Sequence, residues 1–541
     1  MTTMYVLALR LGRWGIAGFG AIAFFVTLLQ TAGFYKIAGT TEGERQAFGR
    51  SMRVLAAQFS VIIAPPMRPD TVGGYVQFRA FGALAILFAI WALASASGAV
   101  RGDEERGLVQ AALGRGISRP RLIAARVAAF ATGSVVAALA AGAAFLIGVA
   151  SGGESVSSAA AVQAAIALAA LAICCYSLTL FFAQLTSARS AIAFAGVILL
   201  ALFLINSLSR TFDFLVPWRW LSPFHYYEQS SSLVPGGTLD VRATLILLAA
   251  GITAAALAAQ AFRLRDVGAP LVKPPTWRRP PTYRMSRSIL WRVPIVRDLY
   301  DRRIGLLVWS AGVSALGAVF VVLTKSIVKP LLAIPALAPY FSAFVNGDVF
   351  TSFFAYIWFG FAQLLMAGFA IAQVARWTAE DSDGRLELIL SNPISRVRVV
   401  LERAIVLTLG ALIISSASGI VVGLEAHSQS IELDGRRLAE ATLLLVPFTL
   451  VFGTVGAVLA SRIPRATVGL LGAFAIATYV LVQLGPIFKL PAWLVDASPF
   501  KLYGQPLSAG VDQTGLGIML GIVIIGIGAS ALVMQRRDIG A

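Results

Sequence analysis

The sequence predicts an all-α polytopic membrane protein that contains twelve transmembrane helices as two tandem repeats of six. The chain has 541 residues, of which 58% are hydrophobic and only 13% are charged, whereas soluble domains contain about 45–50% apolar and about 25% charged residues. Its apolar residues come in blocks of about twenty, the length with which a helix crosses a bilayer. One basic motif occurs twice, once in each half of the chain. These observations exclude a soluble enzyme and a disordered or fibrous protein.

Twelve apolar segments can each satisfy their own backbone hydrogen bonds within lipid. In the first half they are Trp14–Tyr35, Ala80–Val100, Val127–Ala150, Ser158–Phe182, Ser190–Asn206 and Ala243–Phe262. In the second half they are Ile304–Thr324, Phe350–Val374, Ala404–Leu424, Ala441–Ala460, Ala466–Phe488 and Gly515–Met534. The fifth segment is the shortest.

Basic residues orient these spans. The net charge is +18, and the positive-inside rule explains it better than nucleic-acid binding does. The segment after span 2 is basic, whereas the loop after span 3 contains no base and one acid, Glu154. The loop Lys36–Arg79 is also basic, but long loops follow the rule poorly. We therefore expect both termini in the cytoplasm, no nucleic acid among the partners, and, from the excess of arginine over lysine, a bacterial cytoplasmic membrane.

Cysteine and histidine are too few for disulfide or metal chemistry. Cys174 and Cys175 are adjacent within an apolar segment, and neighbours in a helix cannot easily pair with each other. His225 and His427 are far apart in the sequence. We therefore expect neither a disulfide framework nor a metal site.

The most informative feature is an internal repeat. Residues 107–126 match residues 384–403 at a fixed offset of 277, with identical residues at Gly107/Gly384, Leu113/Leu390, Ile117/Ile394, Ser118/Ser395, Arg119/Arg396, Arg121/Arg398 and Arg126/Arg403. Acidic residues precede both copies, among them Glu104 and Asp381. A second motif lies before the last span of each half, where Ser222, Pro223, Phe224 and Tyr227 match Ser498, Pro499, Phe500 and Tyr503.

The repeats divide the chain into two six-span halves, residues 1–262 and 304–541, joined by a basic, proline-rich linker at residues 263–303. Because six is an even number, both halves have the same orientation, and a pseudo-two-fold axis is expected along the membrane normal. A transport pathway is then expected between the halves.

The repeated basic motif is predicted to form a short cytoplasmic helix between the second and third spans of each half. The preceding acids suit the positive end of a helix dipole, and Gly116 and Pro393 end the helix. Ser118 and Ser395 are positioned to cap the next helix, which leads into the membrane. A short helix attached to a span suits docking of a cytoplasmic partner. The alternative is a pair of basic anchors, although anchors do not require matched Gly, Leu, Ile and Ser residues.

This pattern, acids followed by GRLELIL-x-x-PISR-x-R, resembles the coupling-helix region of ABC-2-type export permeases. The two-half organisation resembles the fused permeases of antibiotic and multidrug exporters of the tetronasin-exporter kind. The resemblance implies a type V, ABC-2 exporter-like fold with coupling helices after spans 2 and 8 and re-entrant outer hairpins at the two Ser-Pro-Phe-x-x-Tyr loops. It also implies an interfacial N-terminal helix, for which Met4–Trp14 is suited, although this segment fits a basic flank of span 1 equally well.

The coupling residues that the resemblance implies are Glu104, Gly107, Leu113, Ile117, Ser118, Arg119, Arg121, Asp381, Gly384, Glu387, Leu390, Pro393, Ile394, Ser395, Arg396 and Arg398. The first copy departs from the family pattern at Gln110 and Gly116, where the second has Glu387 and Pro393. Equal use of the two docking sites is therefore in doubt.

The chain contains no G-x-x-x-x-G-K-[ST] motif and hence no phosphate-binding loop of this kind. We therefore expect a permease and not an enzyme, with ATP and Mg²⁺ held by two copies of a separate ABC ATPase subunit. The twelve predicted spans contain no Asp, Glu, Lys, Arg or His, which argues against proton coupling. A sodium-driven carrier remains open, because carbonyl and hydroxyl groups can bind sodium.

The family arrangement would position spans 2, 5, 8 and 11 around a central substrate path. Aromatic and amide residues of these spans are Phe88, Trp91, Asn206, Tyr356, Phe359, Gln363 and Gln483. An apolar path with a few hydrogen-bonding groups suits a hydrophobic or amphipathic, antibiotic-like solute better than a charged one. The alternative for each residue is that it faces lipid or packs between helices.

Other functions stay open at this stage. Asp213, Asp240 and Asp348 in the outer loops are compatible with a lipid-linked glycosyltransferase, whereas the H-E-x-x-H motif of zinc proteases is absent. An ion-gradient carrier is a second alternative, and an ABC-type lipid extractor or sensor permease is a third. Membrane lipids and a hydrophobic small molecule are the remaining expected partners.

Overall fold

The computed structural model describes residues 2–39, 41–58, 64–105, 107–185, 188–210, 212–271, 293–332, 349–382, 384–391, 393–488 and 490–537. Within these ranges the chain is helical and contains no β-strand. It forms two compact units, Met1–Pro281 and Thr282–Ala541, each with its own apolar core. The all-α fold class predicted from the sequence is therefore confirmed.

The first unit consists of long apolar helices that are interrupted by short ones. In chain order they are α1 (Thr2–Ile37), α2 (Glu42–Gln58), α3 (Val72–Ser97), α4 (Leu108–Gly114), α5 (Arg119–Ser151), α6 (Ser158–Leu185), α7 (Ala188–Leu208), α8 (Pro223–Glu228) and α9 (Val241–Leu264). A 3-10 helix, Asp213–Leu221, precedes α8. The short helices α4 and α8 lie at the two motifs that recur in the second half.

The second unit has the same kind of succession. Its helices are α10 (Pro294–Asp301), α11 (Arg303–Leu332), α12 (Val349–Ser382), α13 (Arg385–Leu390), α14 (Arg396–Ser428), α15 (Gly435–Arg462), α16 (Pro464–Phe488), α17 (Ala492–Asp496), α18 (Pro499–Tyr503), α19 (Pro506–Ala509) and α20 (Gln513–Gln535). Helices α14 and α15 begin and end 277 residues after α5 and α6. The offset of the sequence motif therefore continues along two further helices.

Eleven helices in the described ranges are long and apolar enough to cross a membrane. The helix predicted as the fifth span is α7, whose described apolar part, Phe194–Leu208, is shorter than the others. The chain is thus a multi-pass membrane protein by the length and composition of its helices.

Several helices extend beyond the predicted spans. Helix α1 runs without a break from Thr2 to Ile37, so Met4–Trp14 is not a separate helix lying on the membrane surface. The continuous helix favours the other interpretation, a basic flank on the first span. The predicted linker contains α10, and its residues 272–292 lie outside the described ranges.

Small residues allow the first and third long helices of the first unit to pack closely. A Cβ atom added at Gly133 would lie 2.6 Å from Cγ1 of Ile16, and one at Gly148 would lie 2.7 Å from Cβ of Thr31. Both glycines are on α5 and both neighbours are on α1. Such close approach is typical of helix pairs in membranes, where van der Waals packing drives association.

The close packing of α20 against the short helix α18 gives a test of the fold. A Cβ atom at Gly515 would lie 2.2 Å from the carbonyl oxygen of Leu502, whereas a Cβ atom at Gly517 would meet nothing within 4 Å. We expect Gly515→Ala to destabilise the protein by about 1–3 kcal/mol, the usual effect of overpacking. The matched substitution Gly517→Ala is expected to leave the thermal unfolding midpoint in detergent unchanged or slightly raised. Equal midpoints for the two variants would contradict this packing.

Candidate functional site

In both units the repeated basic motif begins with a left-handed glycine that leads into a short helix. Helix α3 continues through a π-helical turn at Gly98–Gly102 and a turn at Asp103–Glu105 before α4 begins. The residues before α4 and α13 are Gly107 and Gly384, with φ of +73° and +68°. Glycine adopts this left-handed conformation without strain, which explains why the motif has glycine at this position in both copies.

The predicted helix ends are largely confirmed. Helix α4 ends at Gly114 and α13 at Leu390, shortly before Gly116 and Pro393. The side chain of Ser395 caps α14 by accepting a hydrogen bond from the backbone N–H of Arg398 at 3.2 Å. Ser118 occupies the same N-cap position of α5, but its hydroxyl makes no capping bond.

The matched arginines Arg119 and Arg396 form what we call the arginine clamps. Nη1 of Arg119 donates to the carbonyl oxygens of Phe262, Arg263 and Arg265, at 2.8, 3.2 and 2.7 Å. Nη1 of Arg396 donates to those of Met534, Gln535 and Arg537, at 2.9, 3.0 and 2.7 Å. The last carbonyl groups of a helix have no partner within the helix. Each clamp therefore joins the start of the third long helix to the end of the last one.

Two further ion pairs occur at equivalent positions of the two units. Arg126 pairs with Asp103 in the first unit, and Nη2 of Arg403 lies 2.9 Å from Oε2 of Glu380 in the second. Glu104 pairs with the buried Arg265, and Asp381 pairs with Arg537 at 2.6 Å. These acids thus bind arginines of neighbouring helices. The sequence predicted only a favourable interaction of these acids with a helix dipole. In the structure they also connect separate segments of each unit through ion pairs.

Glu104 is the centre of a buried charged cluster in the first unit. Its carboxylate accepts hydrogen bonds from Arg101 at 3.2 Å, from Arg265, and from the backbone N–H of Gly268 at 3.3 Å. Arg265 also donates to the side chain of Gln184 at 2.8 Å. Removing one partner of such a buried charge pair destabilises proteins by about 3–5 kcal/mol. The cluster therefore fixes the segment after α3 to the end of α9.

The predicted coupling residues fall into two groups. Those that are buried or half-buried are Glu104, Leu113, Ile117, Arg119, Asp381, Gly384, Leu390, Ile394 and Arg396. Those with exposed side chains or backbone are Gly107, Ser118, Arg121, Glu387, Pro393, Ser395 and Arg398. Leu108 and Leu388, which are 43% and 70% exposed, add apolar surface to the outward face. The outward group is the surface that a partner can reach.

Sequence reasoning missed two residues of this site, Arg265 and Arg537. Both follow the last long helix of their unit, at an offset of 272 instead of 277. The sequence pattern that could have indicated them is that an arginine occurs three residues after the final predicted span in both halves. Its partner acid lies on a distant segment, which the sequence does not indicate.

The Ser-Pro-Phe-x-x-Tyr motifs form the short helices α8 and α18. The hydroxyl of Tyr227 donates to the carbonyl oxygen of Phe81 at 3.0 Å, and that of Tyr503 donates to Ala441 at 2.8 Å. Burial raises the pKa of both tyrosines, so both hydroxyls remain protonated donors. The first tyrosine thus binds α3 and the second binds α15, a difference that the matched motif does not predict.

Both hairpins pack against the fifth long helix of their own unit. The ring of Phe224 lies 5.2 Å from that of Phe203 on α7, and Phe500 lies 5.3 Å from Tyr479 on α16. Pro223 and Pro499 start the two helices. Ser498 caps α18 and donates to the carbonyl oxygen of Thr478, whereas the buried hydroxyl of Ser222 has no partner among the described residues.

The predicted substrate-path residues differ in exposure. Five of them, all buried, are Phe88, Trp91, Asn206, Phe359 and Gln363. Tyr356 is 54% exposed, and Gln483 is exposed as well. The hydroxyl of Tyr356 lies 3.4 Å from Oε1 of Gln483, whose amide donates to the hydroxyl of Tyr479 at 3.0 Å. We call these three residues the tyrosine–glutamine network. It lies on two membrane-length helices, α12 and α16.

Metal ligation has no support in the part of the chain that is described, where no group of three or more His, Cys, Asp or Glu side chains could hold an ion.

The clamp of the second unit gives a direct test. We expect Arg396→Ala to destabilise the protein by about 1.5–3 kcal/mol, the range for hydrogen bonds to a charged group. The control is Arg398→Ala, because this exposed arginine only pairs with Glu402 one helical turn away and such pairs contribute about 0.3–0.5 kcal/mol. Thermal unfolding in detergent measures both. If the two variants unfold at the same temperature, Arg396 does not hold the end of α20.

A comparison with known protein families identifies relatives of the chain. Residues 1–263 and 299–534 match the family described as multidrug efflux system permease Rv1217c, C-terminal domain. Among curated proteins, none matches the sequence. The matched residues cover most of both units and leave out only the segment between them and the C-terminal end. The chain therefore belongs to the family of multidrug efflux system permeases.

Proposed function

We propose that the chain is the permease subunit of an ATP-driven ABC-2-type exporter with twelve membrane spans and cytoplasmic termini. Two copies of a separate ATPase subunit dock on α4 and α13, and the permease moves a hydrophobic or amphipathic solute out of the cell. The observation that carries the proposal is the repeated motif. In both units it presents an exposed short helix outward and is tied inward to the last long helix by an arginine clamp.

The division into outward and inward residues suits energy transfer. Glu387, Leu388 and Arg398 offer charge and apolar area to a partner. The clamp and the ion pair between Asp381 and Arg537 connect that surface to α20. A displacement of α13 by a partner is thus transmitted to a membrane-length helix through a charged contact, which is stronger than a neutral hydrogen bond. ATP and Mg²⁺ belong to the partner subunits.

The tyrosine–glutamine network supports a hydrogen-bonding solute. Polar side chains that face lipid are unfavourable, because the bilayer core offers no hydrogen-bond partners. Tyr356 and Gln483 nevertheless have exposed side chains on membrane-length helices. We infer that this surface faces the transport pathway. Its groups are uncharged, so they suit the hydroxyl, carbonyl or amide groups of an amphipathic solute.

The docking surface is tested by reversing its acidic charge. An acidic residue in a docking surface is complementary to a basic group of the partner. We expect Glu387→Arg to weaken binding of the ATPase subunit about tenfold, because the new arginine would face that basic group and like charges across an interface cost at least ~1.4 kcal/mol. The measurement is a pull-down of the tagged permease in mild detergent from its native host, with intact-mass analysis of the complex.

The matched control is Glu432→Arg, which reverses an exposed acid on the loop between α14 and α15. It should leave the complex of one permease with two ATPase subunits intact. If the Glu387→Arg variant retains the same two subunits with the same affinity, α13 is not the docking site. A permease that transports along an ion gradient with no ATPase present would refute the proposed function.

The network is tested by removing its amide. We expect Gln483→Leu to lower kcat/KM for a neutral hydroxyl- or amide-bearing substrate roughly fivefold, since one hydrogen bond contributes about 1 kcal/mol. Transport into inverted vesicles measures the effect. Gln163→Leu on α6, which makes the same change outside the network, should leave transport unchanged. Equal kinetics for the two variants would remove the network from the pathway.

A further inference from the structure

The two repeated motifs share a backbone path but differ in how their surroundings are filled. The offset of 277 pairs four large residues of the first unit, Arg101, Phe130, Tyr176 and Gln184, with four smaller residues of the second, Thr378, Leu407, Gly453 and Ser461. All four large residues are buried. The same position in the fold is therefore occupied by different volumes in the two units.

In the first unit these side chains fill the space between the coupling segment and the core. The rings of Phe130 and Tyr176 are stacked with centroids 4.1 Å apart. Arg101 donates to the carbonyl oxygen of Ala183 at 2.9 Å. The chain after α9 closes the site, because the backbone N–H of Leu271 donates to the carbonyl oxygen of Gln184 at 3.0 Å. Buried side chains thus fill the space between the first coupling segment and the core of its unit.

In the second unit the equivalent space is a cavity of about 40 Å³, which is room for about three water molecules. Its lining residues include Trp377, Thr378, Leu407, Gly453, Ser461 and Arg537. Trp377 is only 3% exposed, and its indole N–H has no hydrogen-bond partner among the described residues. Buried donors in proteins usually have a hydrogen-bond partner, so the packing around this indole is incomplete among the described residues.

The apolar contacts show the same difference. Val109, Ala112, Ile123 and Phe262 of the first coupling region belong to the main core of their unit. Leu386, Val399, Val400 and Met534 of the second form a small cluster of their own, separate from the main core. The second coupling segment is thus packed against the start of α14 and the end of α20, apart from the main core of its unit.

From these observations we propose that the second unit contains a built-in hinge. During transport, α13 and the end of α20 move together against the core of the second unit, into the space of the cavity, while α4 stays fixed to the core of the first unit. The proposal rests on the proposed function, since docking of an ATPase at α13 drives the movement.

The charges make α13 and α20 a single moving body. Asp381 at the end of α12 and Arg396 at the start of α14 flank α13, and both bind Arg537, which follows α20. The cavity side offers fewer dispersion contacts, because atoms next to a void have no neighbours on that side. Local opening is easiest where buried apolar contacts are few, and the hinge is therefore at the cavity.

Hydrogen exchange of the full-length permease in lipid nanodiscs tests the hinge without any partner. We expect the amides of α13 and of the last turn of α20 to exchange faster than those of α4 and of the last turn of α9. Equal exchange in the two units, or faster exchange in the first, would overturn the proposal. Because no ATPase is present, this result does not depend on whether the proposed function is correct.

A cavity-filling variant tests the role of the hinge in transport. Ser461→Gln introduces the residue type that binds Arg265 in the first unit. We expect it to slow exchange of α13 roughly fivefold, the equilibrium factor of one added buried hydrogen bond, and to lower solute transported per ATP in the complex with its ATPase. Leu407→Phe fills the same space without a polar group and should act in the same direction.

The control is Ser428→Gln, which makes the same substitution at an exposed site at the far end of α14. It should change neither exchange nor transport. Slower exchange with undiminished transport per ATP in both filled variants would overturn the hinge. Absence of any copurifying ATPase would count against the proposed function, and the exchange comparison would still decide whether the second unit opens at the cavity.

Discussion

The last membrane-length helix of each unit ends in carbonyl groups that no further helical turn can satisfy, and one guanidinium group binds two of them together with a third carbonyl group just beyond the helix. Arg119 and Arg396 make these bonds from the start of the third long helix. Because the short helices α4 and α13 lie between the second and third long helices, the clamps fix their position relative to α9 and α20. The proposed docking surface, the inward ion pairs and the cavity all lie near this contact.

The clamp explains why one motif serves both structure and function. A helix that receives force from a partner must be exposed on one side and firmly attached on the other. In α13 the exposed side carries Glu387 and Leu388, and the attached side carries Leu386, which is buried against Val399, Val400 and Met534. Arg396 lies at the start of the next helix, so the attachment and the proposed docking surface occupy neighbouring positions within one repeat.

Sequence reasoning predicted the parts of this site that depend on local structure. The ends of α4 and α13 and the cap at Ser395 follow from backbone preferences of single residues and were correct. The direction of Arg119 and Arg396 was not predictable, because an arginine between two helices can serve a partner or a carbonyl group equally well. The pairing with Arg265 and Arg537 depends on tertiary packing between segments more than 150 residues apart. The burial of Phe88 and Trp91 depends on such packing too.

The identical residues of the two motifs gave no indication that the packing beside them differs between the units. The residues that match at an offset of 277 set the backbone and the charged contacts, whereas the unmatched ones set how much space remains beside them. Tyr176 and Gly453 are a pair of this kind: one ring stacks on Phe130, and its absence leaves the cavity beside Leu407. In a duplicated permease, matched residues preserve the mechanism of attachment. Unmatched residues beside the motif can then make the packing tight in one half and leave a cavity in the other, while the helices keep the same bounds.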